Sequence, residues 1–379
     1  MKILDLIRKA ASACRRMKIL DLIRKTAAAY KRTKILDFLM KTAAARKRET
    51  AVLLVLIALL TSFSFYRYSG SPVNPALAAR IVDIPKGAGF FRITGILNKE
   101  GFVKNLPFFW SLAIAKGATL QIRAGEYEFT GAMSPLEILA KLVRGEIKDY
   151  KVMLPEDITV SEVAQRLLAD KLINEEEFTA LAADRDFLAS LDIEADSVEG
   201  YLHPNTYKFD RSMTTKEVVR IIVRQFWKEI TPEMRQRAEE LGLTINGWVT
   251  LASIIGKESA NREEKALVSA VFHNRLKRGM KLQSDPTAVY RPVQEGAPPK
   301  TVRKKDLQSD TPHNTYRISG LPPSPIANPG IDSLRAALYP ARVGYIYFVA
   351  TNEGTHHFSA SLEEHNRAVA KYQINKQKK

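Results

Sequence analysis

Residues 250–290 read TLASIIGKESANREEKALVSAVFHNRLKRGMKLQSDPTAVY, and the placement of one acid in this run decides how the chain is read. Leu251, Ile254, Ile255 and Glu258 recur at helical spacing, so the Glu258 carboxylate projects from the apolar side of a helix. An acid in that position is costly unless it is paired or protonated. Burial raises a carboxyl pKa, and a raised pKa is what a general acid working near neutral pH needs. A Glu paired with one of the many Lys and Arg residues nearby fits the same pattern, so spacing alone leaves both readings open.

Outward from this run the pattern stays mixed. Periodicity predicts helices near 215–229, 232–241, 247–258 and 262–278, a strand at 345–350 and a closing helix at 362–372. Residues 284–330, rich in Pro, Gly, Asp and Asn, read as loops. Those loops carry the other candidate substrate contacts. Gln283, Ser284 and Asp285 form a turn ending at Pro286, and Asn314 and Tyr316 sit beside Leu321-Pro322-Pro323. Glu199 and Tyr207 flank a Pro turn. Side-chain capping of turns is the competing reading for Asp285, and core packing for Tyr207. His313, His356, His357 and His365 do not make a metal site, because two are adjacent and no Cys or HExxH partner exists. No phosphate loop or dinucleotide fingerprint is present, and no cofactor is expected.

The 379 residues suffice for two or three domains with real cores. Net charge is +17, but residues 1–50 carry fifteen Lys and Arg against four acids, so eleven of those charges belong to the tail. The body is only mildly basic and shows no nucleic-acid footprint. Cys14 is the single cysteine, which rules out an internal disulfide. Residues 51–60 read AVLLVLIALL, and apolar character runs to Tyr66. These sixteen residues reach about 24 Å as a helix, against a hydrocarbon core of about 30 Å. Arg46-Lys47-Arg48 directly before the run places the N-terminus in the cytoplasm and residues 67–379 outside. The long charged segment ahead of it argues against a cleaved signal peptide. Residues 1–16, 17–32 and 33–48 are three copies of one basic amphipathic unit suited to an anionic leaflet, best read as a tandem duplication with no added role.

A second repeat follows the linker at 69–80. Residues 81–105 and 151–175 align at an offset of 70, with Ile84-Pro85 matching Leu154-Pro155, Ile93 matching Val163 and Leu97 matching Leu167. The strand–helix–helix–strand content resembles LysM-like modules, which implies a shallow groove for glycan strands; a bare spacer is the alternative. The expected domains are therefore a tail at 1–48, a transmembrane helix at 49–68, a LysM-like module at 81–150 and a catalytic domain at 151–379. The last would begin with a second LysM-like unit over about 151–180.

Four blocks in order carry a wider resemblance. Residues 251–290, 199–207 (EGYLHPNTY), 310–330 (DTPHNTYRISGLPPSPIANPG) and 345–366 (YIYFVATNEGTHHFSASLEEHN) resemble the YceG-like endolytic murein transglycosylases. The Glu258-Ser259 pair is similar to the Glu-Ser signature of lysozyme-like lytic transglycosylases. Gly256 departs from the family, which often has Glu there, and Asn205 departs from the more usual Asp. The resemblance implies an α+β protein with one N-terminal transmembrane helix, LysM-like modules and a mixed α+β catalytic domain with a helical core. It implies a lyase in the bacterial cytoplasmic membrane that cuts nascent glycan strands to 1,6-anhydro ends, with peptidoglycan, the membrane and cell-wall synthases as partners. Glu258 would be the catalytic acid and base; Ser259, Gln283, Asp285, Asn314, Tyr316 and Glu199 would contact substrate. Two other readings stand beside it: a non-catalytic glycan-binding scaffold, and a hydrolytic muramidase with Asp285 as second carboxylate.

The charge block before Ala51 generates a topology prediction. A reporter fused after Lys379 should be active only outside the cytoplasm; activity inside would reverse the orientation.

Overall fold

The computed structural model describes residues 47–295, 299, 301–351 and 353–374. The three 16-residue copies lie outside the described residues except for Lys47 and Arg48, which open the first helix. In chain order the elements are α1 (Lys47–Gly70), β1 (Arg80–Ile84), α2 (Phe90–Lys99), α3 (Leu106–Ala115), β2 (Gly125–Phe129), α4 (Pro135–Arg144), β3 (Tyr150–Leu154), α5 (Val160–Ala169), α6 (Glu175–Leu181) and α7 (Arg185–Ala189). They continue with β4 (Asn205–Phe209), α8 (Thr215–Glu229), α9 (Pro232–Glu240), α10 (Ile245–Glu258), α11 (Lys265–Lys277), α12 (Asp285–Val289), α13 (Ile331–Leu338), β5 (Tyr347–Ala350), β6 (His356–Ser359) and α14 (Leu362–Val369). The chain is thus a mixture of helices and short strands, and it divides into two compact units.

The first unit takes in residues 89–123 and 129–145 together with the segment up to Val82. Among the described residues α1 is the one helix long and apolar enough to cross a membrane, and its apolar window is exposed throughout. The end of α1 packs on α3: the Phe108 ring lies edge-on to Phe65 at 5.8 Å and to Tyr68 at 5.5 Å. Helix α4 starts where Ser134 and Glu137 cap one another reciprocally and stops at Gly145, whose φ of 65° a side chain tolerates poorly. Ile93, Leu97, Phe109, Leu112, Ile138 and Leu142 fill the interior.

The second unit runs from Glu146 onward and also holds residues 83–88 and 124–128. Strand β3 pairs antiparallel with β4, from Tyr150 opposite Phe209 to Leu154 opposite Asn205. The 70-residue offset reappears here: β3 and α5 begin and end 70 residues after β1 and α2. At the centre lies α10. Trp248, Val249, Leu251, Ala252, Ile254 and Ile255 are all fully buried, so the helix is covered on every side rather than along one stripe. Trp248 Nε1 donates to the Leu334 carbonyl at 2.8 Å, tying α10 to α13.

The loop after β3 is clasped onto this core by carboxylates that fill the space of missing side chains. A Cβ at Gly256 would lie 1.8 Å from Asp157 Oδ1, and one at Gly330 would lie 2.1 Å from the Glu156 carboxyl carbon. Asp157 holds φ at +62° to reach this position. Buried Lys265 lies 3.4 Å from Glu156 and 4.0 Å from Asp157 and donates to Ser333 at 2.8 Å. Burial pushes the Asp157 carboxyl up to about 6, opposed by Lys265. Asn328 completes the clasp. Its Oδ1 accepts from the Gly200 and Leu202 amides at 2.9 Å, and its Nδ2 donates to the Ile158 carbonyl at 2.9 Å.

Gly256 is therefore required by contact and not by backbone angle. Gly256→Ala should cost about 1–3 kcal/mol by overpacking. Adding Asp157→Gly should recover much of that loss, because it removes the obstructing carboxylate. Thermal unfolding of the two variants checks this; equal melting of Gly256→Ala and wild type would refute it.

Candidate active site

Glu258 is the last residue of α10. Ile254 and Ile255, one turn back on the helix, are fully buried, and protein surrounds the carboxylate on most sides while an edge stays partly exposed. This desolvation pushes its carboxyl up to about 7. The Asp285 charge pushes in the same direction, and the Ser284 hydrogen bond and the Arg275 charge oppose it. The helix C-terminus adds negative potential at the same point.

Ser284 Oγ donates to Glu258 Oε1 at 2.5 Å. A buried hydroxyl network fixes that serine. Its amide donates to Thr315 Oγ1 at 2.9 Å, Thr287 Oγ1 donates to its carbonyl at 2.6 Å, and the two threonine hydroxyls lie 2.8 Å apart. Ser284, Thr287 and Thr315 are all buried. Gln283 enters the turn at φ +48° with its side chain exposed. Arg275, buried on α11, donates to the Leu282 carbonyl at 2.8 Å and to the Ile346 carbonyl at 2.7 Å. It thereby holds the backbone just before Ser284 and brings a cation toward Glu258.

The other sequence candidates fall into two groups. Asp285 and Tyr316 flank Ser284: Asp285 is exposed, half-buried Tyr316 donates to it at 2.5 Å, and burial together with this bond raises the Tyr316 pKa. Ser259, Asn314 and Glu199 instead direct their polar atoms into the protein. Ser259 ends α10 and donates to the Asn261 carbonyl at 3.2 Å. Fully buried Asn314 donates to the Ser309 carbonyl at 2.7 Å and accepts from the Tyr316 amide at 3.0 Å. Buried Glu199 accepts from the Val160 amide at 3.0 Å, from Asn328 at 3.0 Å and from Tyr290 at 3.3 Å. Burial pushes its carboxyl up to about 8 against the Val160 and Tyr290 bonds.

Sequence reasoning overlooked Thr287, Thr315 and Arg275. The Ser-x-x-Thr spacing of Ser284 and Thr287 was the one local signal, since such hydroxyls close turns on nearby carbonyls. The histidines serve packing: His356 accompanies buried Glu264 at 2.8 Å, and His313 pairs with Ser324 at 2.7 Å. Burial holds His313 down at about 4. Among the described residues no group of three potential ligands could hold a metal ion. A cleft of about 1350 Å³, lined by Trp227, Arg235 and Asn246 among others, lies at the opposite end of α10. Helical rise puts it about 20 Å from Glu258.

The model of the YceG-like family matches residues 82–371. A protein of Bacillus subtilis (strain 168) named endolytic murein transglycosylase is 31% identical over 317 residues, covering 79% of this chain and 86% of that protein. A protein of the same name from Streptococcus pneumoniae (strain D39) is 28% identical over 354 residues, and the chain spans only 64% of its length. A yceG-like protein of Listeria monocytogenes, solved by crystallography, superposes with a TM-score of 0.53 at 30% identity, over 76% of this chain and 98% of that one. The match takes in both strand–helix repeats, the Glu258 helix and the loops around it, and on that breadth the chain belongs to the YceG-like family.

Proposed function

We propose that this chain is a membrane-anchored lytic transglycosylase that cuts peptidoglycan within its glycan strands, with Glu258 as acid and base. The observation that carries the reading is a desolvated carboxyl held near neutrality and hydrogen-bonded to a locked serine. The name shared by the Bacillus and pneumococcal relatives supports the same reaction. Protonated Glu258 gives its proton to the glycosidic oxygen between muramic acid and glucosamine as that bond breaks. The carboxylate then takes the proton from the muramic acid's own 6-hydroxyl, whose oxygen bonds to the anomeric carbon. The proton returns to Glu258, and the product end is a 1,6-anhydro ring with no water consumed. One positioned acid/base contributes about 10²–10⁴ in rate.

Around that reaction, Ser284 orients the carboxylate and keeps the anion accessible. Exposed Gln283 and Asp285 and the half-buried Tyr316 are the substrate-facing polar groups. The two strand–helix units, from β1 and from β3, act as LysM-like holders of the glycan. Helix α1 spans the bacterial cytoplasmic membrane with its N-terminus inside, and cell-wall synthases working on the same strands are the fitting neighbours. Asp285 gives the hydrolytic alternative its one support, as a second carboxylate whose charge reaches Glu258.

Products decide between the two. Mass spectrometry of digested peptidoglycan should find anhydro-muramic ends; reducing ends would make the chain a hydrolase. Glu258→Gln keeps the shape and removes the proton, so activity should fall about 10²-fold or more while the melting curve is retained.

The pH profile tests the acid directly. The protonated form is the reactive one, so kcat/KM should decline as pH rises through about 7. Ser284→Ala removes a bond to the anion and should move that limb to higher pH. Asp285→Asn removes a like charge and should move it lower. Shifts in the same direction would contradict the assignment of the limb to Glu258.

A further inference from the structure

This inference rests on the reading above that α1 spans the membrane. The uncharged apolar run within α1 extends from Ala51 to Tyr66. The outer end of that run does not emerge into open solvent. Phe65 and Tyr68 pack against Phe108 in the first turn of α3, and Tyr68 donates to the Asn105 carbonyl at 3.1 Å. The start of α3 therefore lies at the depth where α1 leaves the acyl chains.

Helix α3 reads LPFFWSLAIA and has no charged residue. One side packs inward through Phe109, Leu112 and Ala113. The other leaves Ile114 69% exposed, and next to it Phe91 is 70% exposed with its ring edge-on to Trp110 at 5.2 Å. Trp110 satisfies its indole N–H internally on Thr94 at 3.0 Å, so its outer edge needs no water. Leu120, just past α3, is 96% exposed. A soluble surface seldom gathers such residues without a partner. Residues 101–125 contain Lys104, Lys116 and Arg123 and no acid.

We propose that this face is a lipid-docking surface: α3, with Phe91 and Leu120, lies in the outer headgroup boundary beside the point where α1 leaves the membrane. The partner is a phospholipid surface. Apolar side chains enter the acyl boundary, and Lys104 and Lys116 meet phosphates. The first unit is then seated on the bilayer and does not act as a spacer that lifts the chain away from it.

The full chain in phospholipid nanodiscs tests this, in a Cys14→Ser background that removes the only native thiol. Single cysteines at exposed positions (Ile114→Cys and Leu120→Cys) carry a spin label, with Leu56→Cys inside α1 and Lys228→Cys on α8 as references. Labels at 114 and 120 should show a several-fold higher ratio of oxygen to nickel-chelate collisions than the label at 228. A ratio equal to that at 228, with the label at 56 still shielded from nickel, would overturn the docking surface and leave the anchor intact. Nickel access at 56 would overturn the spanning reading and the docking surface with it.

Discussion

Keeping water from a carboxyl group favours its protonated form and lifts its pKa toward neutrality. In this protein that exclusion falls to α10. A helix with one buried stripe would leave its last residue at the rim of the domain. Helix α10 is instead covered all round, and Trp248 ties it to α13 through a main-chain carbonyl. Glu258 stands at the point where that cover ends, desolvated and yet reachable. The loop carrying Ser284 then sets the balance. It supplies a hydrogen bond that favours the anion, next to an Asp that disfavours it.

Such a helix needs partners on every side, and the region after β3 provides one of them. Asp157 and Glu156 approach Gly256 and Gly330 so closely that any side chain there would collide with them. Lys265 offsets the two charges, and Asn328 hydrogen-bonds both the 158 and the 200–202 backbone. Glu199 sits under this junction and accepts from the first amide of α5. The second strand–helix unit and α10 thus share one core. A side chain at position 256 has no room here, because the Asp157 carboxylate occupies that space.

The first unit differs from the second in its surface. Its interior is packed like that of any small domain, but α3 turns apolar residues outward beside the end of α1. In water such a face is a liability.

Local pattern made much of this legible. The apolar run after Arg48, the 70-residue repeat, the helices at 215–229 and 232–240 and the acid on the apolar face of α10 all follow from spacing between near neighbours. The short helix α12 and strand β6 escaped that reading, because four or five residues are too few to show a hydrophobic period. The candidate loops were located, but not the direction of their side chains. Asn314 and Glu199 turn inward, whereas Asp285 stays exposed, and no periodicity distinguishes them. The meeting of Ser284 and Thr287 with Thr315, the grip of Arg275 on the 346 carbonyl, and the meeting of Asp157 with Gly256 join residues 28 to 99 positions apart. Sequence determined which residues have the chemistry and where helices carry them. Only the tertiary structure decided which groups meet and how much water reaches them, because hydrogen bonding and desolvation depend on distances that the chain sets by folding back on itself.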